Sequence, residues 1–255
     1  VSPGIERVAV HGGAVIVAVH PGAADPAEVW RDPRAADAQR VTLVLPARRE
    51  DCGLRLRTFT RAKELPRSVE GALAVAALRG EGGTFEEGVT ATRVMAATGG
   101  WQVEVPSVVV GTQDLDDPGL AARALGLAVN DLDPARPVRA VSCGPNVMVI
   151  PVVTDAALRA AQLDPVVWRE VLGKARHDAA LVAHVDAGGG VTARSLTAEA
   201  ERGEDPVSGL GAAALAGYLE ARGAGSAAGL RVGFGGGGAV EVRVEGLARW
   251  VFVRA

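Results

Sequence analysis

Cysteine, lysine and aromatic residues are scarce in this chain, and each scarcity removes a class of protein. The two cysteines, Cys52 and Cys143, stand far apart and form no CxxC pair, so neither a disulfide framework nor a cysteine-built zinc site is expected. Four histidines, at positions 11, 20, 177 and 184, add no ligand cluster, and no metal is expected. One Tyr and four Phe leave little to stack on bases, and the 27 Lys and Arg residues, nearly all arginine, are scattered at a net charge of −3. That pattern predicts no nucleic-acid partner. The longest apolar runs, Val147–Val153 and Ala212–Leu219, fall far short of the ~20 residues of a membrane span. No basic segment followed by an apolar one opens the sequence, so a cytoplasmic location without a membrane partner is the expectation.

What is abundant is Ala, Gly and Val, in a chain of 255 residues that is 48% hydrophobic and 22% charged. That length holds one large domain or two smaller ones, each able to bury a core. Short β-rich runs are expected at 7–10, 14–20, 40–46, 53–60, 83–85, 88–95 and 101–105, with helices over 23–37 and from Pro66 to the stop at Gly80. A turn-rich, charged stretch, Gly111–Asp117, reads as a break. Beyond it come helices over 118–125, 155–163, 165–176 and 208–222, and strands over 138–141, 146–153, 179–186, 191–196, 230–234, 239–245 and 249–253.

Leu54–Gly80 and Val191–Gly223 lie over one another: a strand carrying Arg-x-x-Thr, an acidic Pro turn, then a Gly-containing, Ala-rich helix. Arg57 matches Arg194, Thr60 matches Thr197, and Gly71 matches Gly209 with a one-residue gap. The repeat exceeds 130 residues, so it reads as a duplicated domain rather than a solenoid. Leu210–Leu219 is apolar on every face, which calls for a helix enclosed by a curled sheet. The expected architecture is α+β: two similar domains, residues 1–113 (with the final strand 249–255 able to return to it) and 114–248. The cleft between them, toward which both helix starts point, is the expected ligand site.

The second of those helices is preceded by Glu204-Asp205-Pro206-Val207-Ser208-Gly209. Ser is a favoured N-cap, and the N–H groups at such a start hold an anion or stabilise developing negative charge. This segment resembles the E-D-P-[VA]-T-G run of the PhzF-like phenazine-biosynthesis family, which has the diaminopimelate-epimerase fold. The resemblance extends in order through Arg57-Thr58-Phe59-Thr60, Glu64-Leu65-Pro66, Leu73, Ala76-Ala77-Leu78, Leu125-Gly126-Leu127, Ser142-Cys143-Gly144, Val147–Val153 and Arg194-Ser195-Leu196. It implies a duplicated diaminopimelate-epimerase-like fold, a homodimer, a small-molecule substrate, and cofactor-independent isomerase chemistry by proton transfer in the cleft.

The departures from the family pattern fall on the chemistry. The family's proton-shuttling glutamate, in S-E-T before V-L-P, falls on Arg40 and its serine on Gln39; the histidine of G-H-x-T-L falls on Glu70, after Val69; the serine of T-G-S falls on Leu210. The Q-G-x-x-x-G-R run is replaced by Gly233–Gly238, which reads as a tight turn or a flap near the cleft and lacks the Lys-Ser/Thr of a phosphate loop. Asp205 stays in place as acid/base or orienting carboxylate. Three roles are open for the substituted pair: Glu70 as proton-transfer group with Arg40 as anion anchor, a structural Arg40–Glu70 ion pair, or a site without acid–base chemistry that positions a substrate for intramolecular cyclisation or elimination. A non-catalytic ligand-binding relative is the alternative of a different class. Ser68, Ser208, Gly209, His11 and Gly144 are the expected substrate-binding positions. Diaminopimelate epimerase uses two cysteines at its helix starts; here Ser68 and Ser208 stand there, and Cys52 and Cys143 read as buried structural thiols.

Overall fold

Alternating β-branched residues and Gly-rich turns carry most of the chain into antiparallel ladders, and the two Ala-rich segments form the helices that those ladders enclose. The computed structural model describes residues 5–10, 14–19, 25–36, 38–88, 90–105, 107–172, 178–198, 203–205, 208–224, 229–235, 238–245 and 248–254. In the first half the strands are β1 (Ile5–Val10), β2 (Ala14–Val19), β3 (Arg40–Pro46), β4 (Leu54–Phe59), β5 (Glu64–Leu65), β6 (Gly83–Glu87), β7 (Thr90–Ala97) and β8 (Gly100–Val105), with β9 (Val109–Asp114) following. The second half has β10 (Arg139–Ser142), β11 (Asn146–Val152), β12 (Ala179–Val185), β13 (Val191–Leu196), β14 (Glu204–Asp205), β15 (Leu230–Phe234), β16 (Ala239–Glu245) and β17 (Ala248–Arg254). The helices are α1 (Pro26–Trp30), α2 (Val69–Arg79), α3 (Pro118–Ala124), α4 (Asp155–Ala160), α5 (Pro165–Leu172) and α6 (Gly209–Glu220).

The two halves share one pairing scheme. β2 runs parallel to β3 and β11 parallel to β12; β4 pairs antiparallel with β3 and β5 and parallel with β6, as β13 does with β12, β14 and β15. Antiparallel hairpins β6–β7–β8 and β15–β16–β17 complete each half. β8 and β17 then pair with each other from Gly100↔Arg254 to Val105↔Arg249, joining the halves into one sheet.

α2 and α6 occupy the hollows of that curled sheet. Ser68 Oγ accepts from Gly71 N at 3.1 Å and Ser208 Oγ from Gly211 N at 3.0 Å, so each helix opens on a serine cap. α2 ends at Gly80, whose φ of 68° is the left-handed cap conformation. Every α6 residue from Gly209 to Leu219 is buried, as an all-round apolar helix requires. Both helices belong to one apolar cluster that runs through the two halves, from Val44 and Phe85 to Leu181 and Val242. Smaller clusters cover the outer faces: α3, α4 and α5 over Met148, Ile150 and Val182, and the α1 region over Val41 and Leu43. No helix among the described residues is long and apolar enough to cross a membrane.

Several expected elements change. The helix expected over 23–37 is α1 followed by a single 3₁₀ turn, Pro33–Ala35; Pro33 has no N–H to continue α1, and Asp32 caps the new turn through Arg34 N at 2.8 Å. α4 stops at Ala160 because the chain turns to bond α3, with Gln162 N donating to Leu125 O at 2.9 Å. The stretch expected as a break, Gly111–Asp117, begins with the end of β9, which pairs with β10; its polar GTQD residues look like a turn in sequence, but the ladder supplies backbone partners. The helix expected over 165–176 is described to Leu172. The serine caps also move one match: Gly71 corresponds to Gly211, not Gly209. The extra residues fall between Thr197 and Gly203, joined by Thr197 N to Gly203 O where the first half has Thr60 N to Lys63 O.

Candidate functional site

Strand β3 opens on Arg40, β14 ends on Asp205, and Glu70 is the second residue of α2. The three side chains meet between the halves. Arg40 Nη1 lies 3.2 Å from Glu70 Oε2, and Arg40 Nη2 donates to Asp205 Oδ1 at 2.9 Å. Glu70 Oε1 crosses to the other half and accepts from Gly209 N at 2.7 Å. Ser68 Oγ is 3.4 Å from Glu70 Oε2. Arg40, Glu70 and Asp205 are 4%, 4% and 5% exposed. A buried guanidinium thus holds a carboxylate from each half, an arrangement sustained only when each charge is met at close range.

These residues line a cavity of about 220 Å³. Ser68, Ser208 and Ser195 add hydroxyls; Leu65, Pro66, Pro145, Val147, Ala179 and Leu210 form an apolar wall. The duplicated pairing shows where the asymmetry arises. By register Arg40 corresponds to Ala179, Asp205 to Leu65, and Glu70 to Leu210, each second after its cap. Every member of the charged trio therefore has an apolar counterpart in the other half.

Four further charges reach the lining. Lys63 lies 3.5 Å from Asp178 across the two halves. Glu64 is gripped by both prongs of Arg57, at 2.8 and 2.7 Å, as Glu204 is by Arg194 at 3.0 and 2.7 Å. Arg67 donates to Thr92 Oγ1 at 2.9 Å and lies 3.9 Å from Glu87 Oε2. Glu87 in turn accepts from Ser68 N at 3.0 Å, from behind the start of α2. Burial pushes the Glu87 carboxyl above the usual carboxylate range and the Arg67 guanidinium below its own.

Of the residues singled out from sequence, Arg40, Glu70, Asp205, Ser68 and Ser208 are brought together. Gly209 enters through its N–H, bound to Glu70. Gly144 is exposed, with φ 104°, and its neighbour Pro145 rather than Gly144 lines the cavity. His11 lies outside the described residues, as do His20 and His177; His184 bonds Val152 O at 3.2 Å, away from the cavity. Cys52 and Cys143 are buried free thiols. Of the glycine run 233–238, positions 236 and 237 lie outside the described residues; Phe234 N bonds Gly238 O at 2.8 Å, and a Cβ on Gly235 would meet Arg194 and Glu204. Lys63, Arg67, Asp178 and Glu87 went unnoticed in the sequence. Lys63 and Arg67 flank the Glu64-Leu65-Pro66 match and were within its reach, whereas only the fold brings Asp178 and Glu87 near.

Solved structures with this architecture include a predicted epimerase from Pseudomonas aeruginosa, 23% identical, with a TM-score of 0.74 over 96% of this chain and 91% of that one. A PhzF-family phenazine biosynthesis protein from Bacillus anthracis is 18% identical, with a TM-score of 0.76 over 98% and 93%. A hydroxyproline epimerase from Agrobacterium vitis, solved with bound trans-4-hydroxy-L-proline, is 13% identical, with a TM-score of 0.69 over 98% and 89%. No protein-family model and no curated protein matches the sequence. The chain has a PhzF-like, diaminopimelate-epimerase-type α+β fold; at these identities the likeness is one of fold.

Proposed function

We propose that this protein is an isomerase of a small metabolite, in a biosynthetic pathway, that moves a proton with its own side chains in the cleft between the halves. The observation that carries this reading is Asp205: a carboxylate 5% exposed, on the cavity lining, held at 2.9 Å by Arg40. A carboxylate fixed beside a largely apolar wall is placed to take a proton from a bound carbon and return it nearby. Arg40 keeps its orientation and stabilises charge that develops on the substrate. The folds of the epimerases above are consistent with that chemistry.

The test is solvent-deuterium incorporation. Purified protein in D₂O is incubated with a bacterial metabolite extract, and one-mass-unit gains are followed by mass spectrometry. Wild type is expected to label a specific metabolite, and Asp205→Asn to slow labelling by about 10²–10⁴-fold. An Asp205→Asn variant that labels as fast as wild type sinks the proton-transfer role. A second reading, positioning of a substrate for intramolecular ring closure or elimination, is favoured by the engagement of both Glu70 oxygens; product formed without label, and unaffected by Asp205→Asn, would select it.

A further inference from the structure

A helix start attracts anions because its first N–H groups lack partners inside the helix and its dipole is positive there. In this cleft both helix starts are served by carboxylates of the chain itself. At α6, Gly209 N donates to Glu70 Oε1 at 2.7 Å; at α2, Ser68 N donates to Glu87 Oε1 at 3.0 Å. Glu70 does not cap its own helix. Its side chain crosses from α2 to α6, where Arg40 Nη1 meets the second oxygen at 3.2 Å. A backbone N–H, a guanidinium and a serine hydroxyl around one carboxylate are the donor set that would otherwise receive a carboxylate or phosphate from a ligand.

The geometry points to Glu70 as a resident occupant of the anion seat at α6, and hence to a substrate that brings no carboxylate or phosphate there: an uncharged small molecule with hydroxyl or carbonyl groups. The remaining charges on the lining agree. Lys63 faces Asp178, Glu64 is held by Arg57, Arg67 faces Glu87, and Asp205 shares Arg40 with Glu70. The Arg40 and Arg67 pairs are buried, so an incoming anion would have to break a close pair away from water to reach either guanidinium; Lys63–Asp178 and Arg57–Glu64 are partly exposed. Beyond these pairs the lining carries the Ser195 hydroxyl, the Ser208 hydroxyl that also caps Gly211 N, and the apolar residues Val147 and Leu210. Glu70 is thus a specificity determinant, a role that sets which class of molecule enters. The substrate class rests on the reading of the cleft as the reaction site; the occupancy of the α6 start by Glu70 does not.

Acetate and formate are the probes, and binding is read by thermal shift and by calorimetry, without turnover. Wild type is expected to show no saturable binding of either in the cleft. Glu70→Ala opens the seat and is expected to bind acetate about tenfold or more tightly than wild type, with a concentration-dependent rise in Tm. Glu70→Gln, which keeps an acceptor for Gly209 N, is expected to fold and to show no such gain. A crystal of Glu70→Ala with acetate should place the carboxylate on Gly209 N and Arg40. Acetate binding in the wild-type cleft with Glu70 displaced would overturn the proposal, as would a folded Glu70→Ala indifferent to acetate. If Glu70→Ala does not fold, wild type and Glu70→Gln still decide it: no saturable acetate binding in either supports the occupied seat, and saturable binding in the wild-type cleft overturns it. Failure of the deuterium experiment leaves these outcomes unchanged, so the two readings fall separately.

Discussion

Buried charge has to be met at close range, and at the residue scale this requirement explains the substitutions that set the chain apart from the family it resembles. An arginine at position 40 brings a positive charge into the cleft; Glu70 and Asp205 answer it at 3.2 and 2.9 Å. The three side chains are therefore physically one unit centred on Arg40, and removing Arg40 leaves two buried carboxylates without it. Glu87 presents the opposite case, a fully enclosed carboxyl for which burial outweighs the pull of Arg67 3.9 Å away. Its folded pKa is raised, so the folded state holds a proton that the unfolded chain has already released. Its contribution to stability is full below the ordinary carboxylate range and is lost as pH rises through the folded value. Glu87→Gln, which keeps an acceptor for Ser68 N, is expected to flatten the fall in urea midpoint between about pH 4 and the folded pKa. Glu87→Leu leaves that N–H unpaired and should cost about 1–3 kcal/mol. A midpoint-versus-pH slope identical in wild type and Glu87→Gln would remove the raised carboxyl from the account.

At the scale of elements, glycine and alanine in the central helices are a packing requirement. A Cβ built on Gly209 would lie 2.6 Å from Val69 Cγ1 and 3.2 Å from Val251 Cγ1. This is where the start of α6 passes the start of α2, and the close approach is what lets Glu70 reach Gly209 N. Gly209→Ala, at the first position of α6, gains about 0.4–1 kcal/mol by restricting the unfolded chain but has to displace a fully buried Val69, at a cost of about 1–3 kcal/mol. A net loss of stability is expected, together with a weakened Glu70 contact. Combining it with Val69→Ala should return part of the loss, because the two positions share one volume. Strictly additive effects in that double-mutant cycle would show that the helices do not meet there.

For the whole molecule, the site and the joint between halves are the same structure. Arg40–Asp205, Glu70–Gly209 and Lys63–Asp178 cross the cleft, and β8–β17 closes the sheet behind it. One apolar cluster contains both central helices. Unfolding is therefore expected as one transition, with far-UV circular dichroism and tryptophan fluorescence coincident. Cys143 supplies an independent probe: burial pushes its thiol up to about 12, and its Sγ lies 3.6 Å from Leu210 O. Its reaction with a thiol reagent at pH 8 should proceed only at the rate of global opening. Two separated transitions, or Cys143 labelling far faster than unfolding, would show that the halves open independently.

The sequence by itself determined the duplication, the two enclosed helices, the serine caps and the meeting of Arg40 with Glu70. These follow from local rules, since hydrophobic period, Gly stops and Ser-capped starts act over a few residues and leave their mark in order along the chain. Arg57 with Arg194, and Ser68 with Ser208, were legible for that reason. The exchange of Gly209 for Gly211 as the partner of Gly71, and the strand at Val109–Asp114, were not, because both depend on where a loop absorbs extra residues and which edge a strand finds. Only the tertiary structure decided that Glu70 leaves its own helix to sit on the start of the other, that Arg40 serves two carboxylates, and that Glu87 stands behind Ser68. The deciding force there is the cost of leaving charge and N–H groups unmet away from water, which is felt only once residues 19 to 165 positions apart share a buried space.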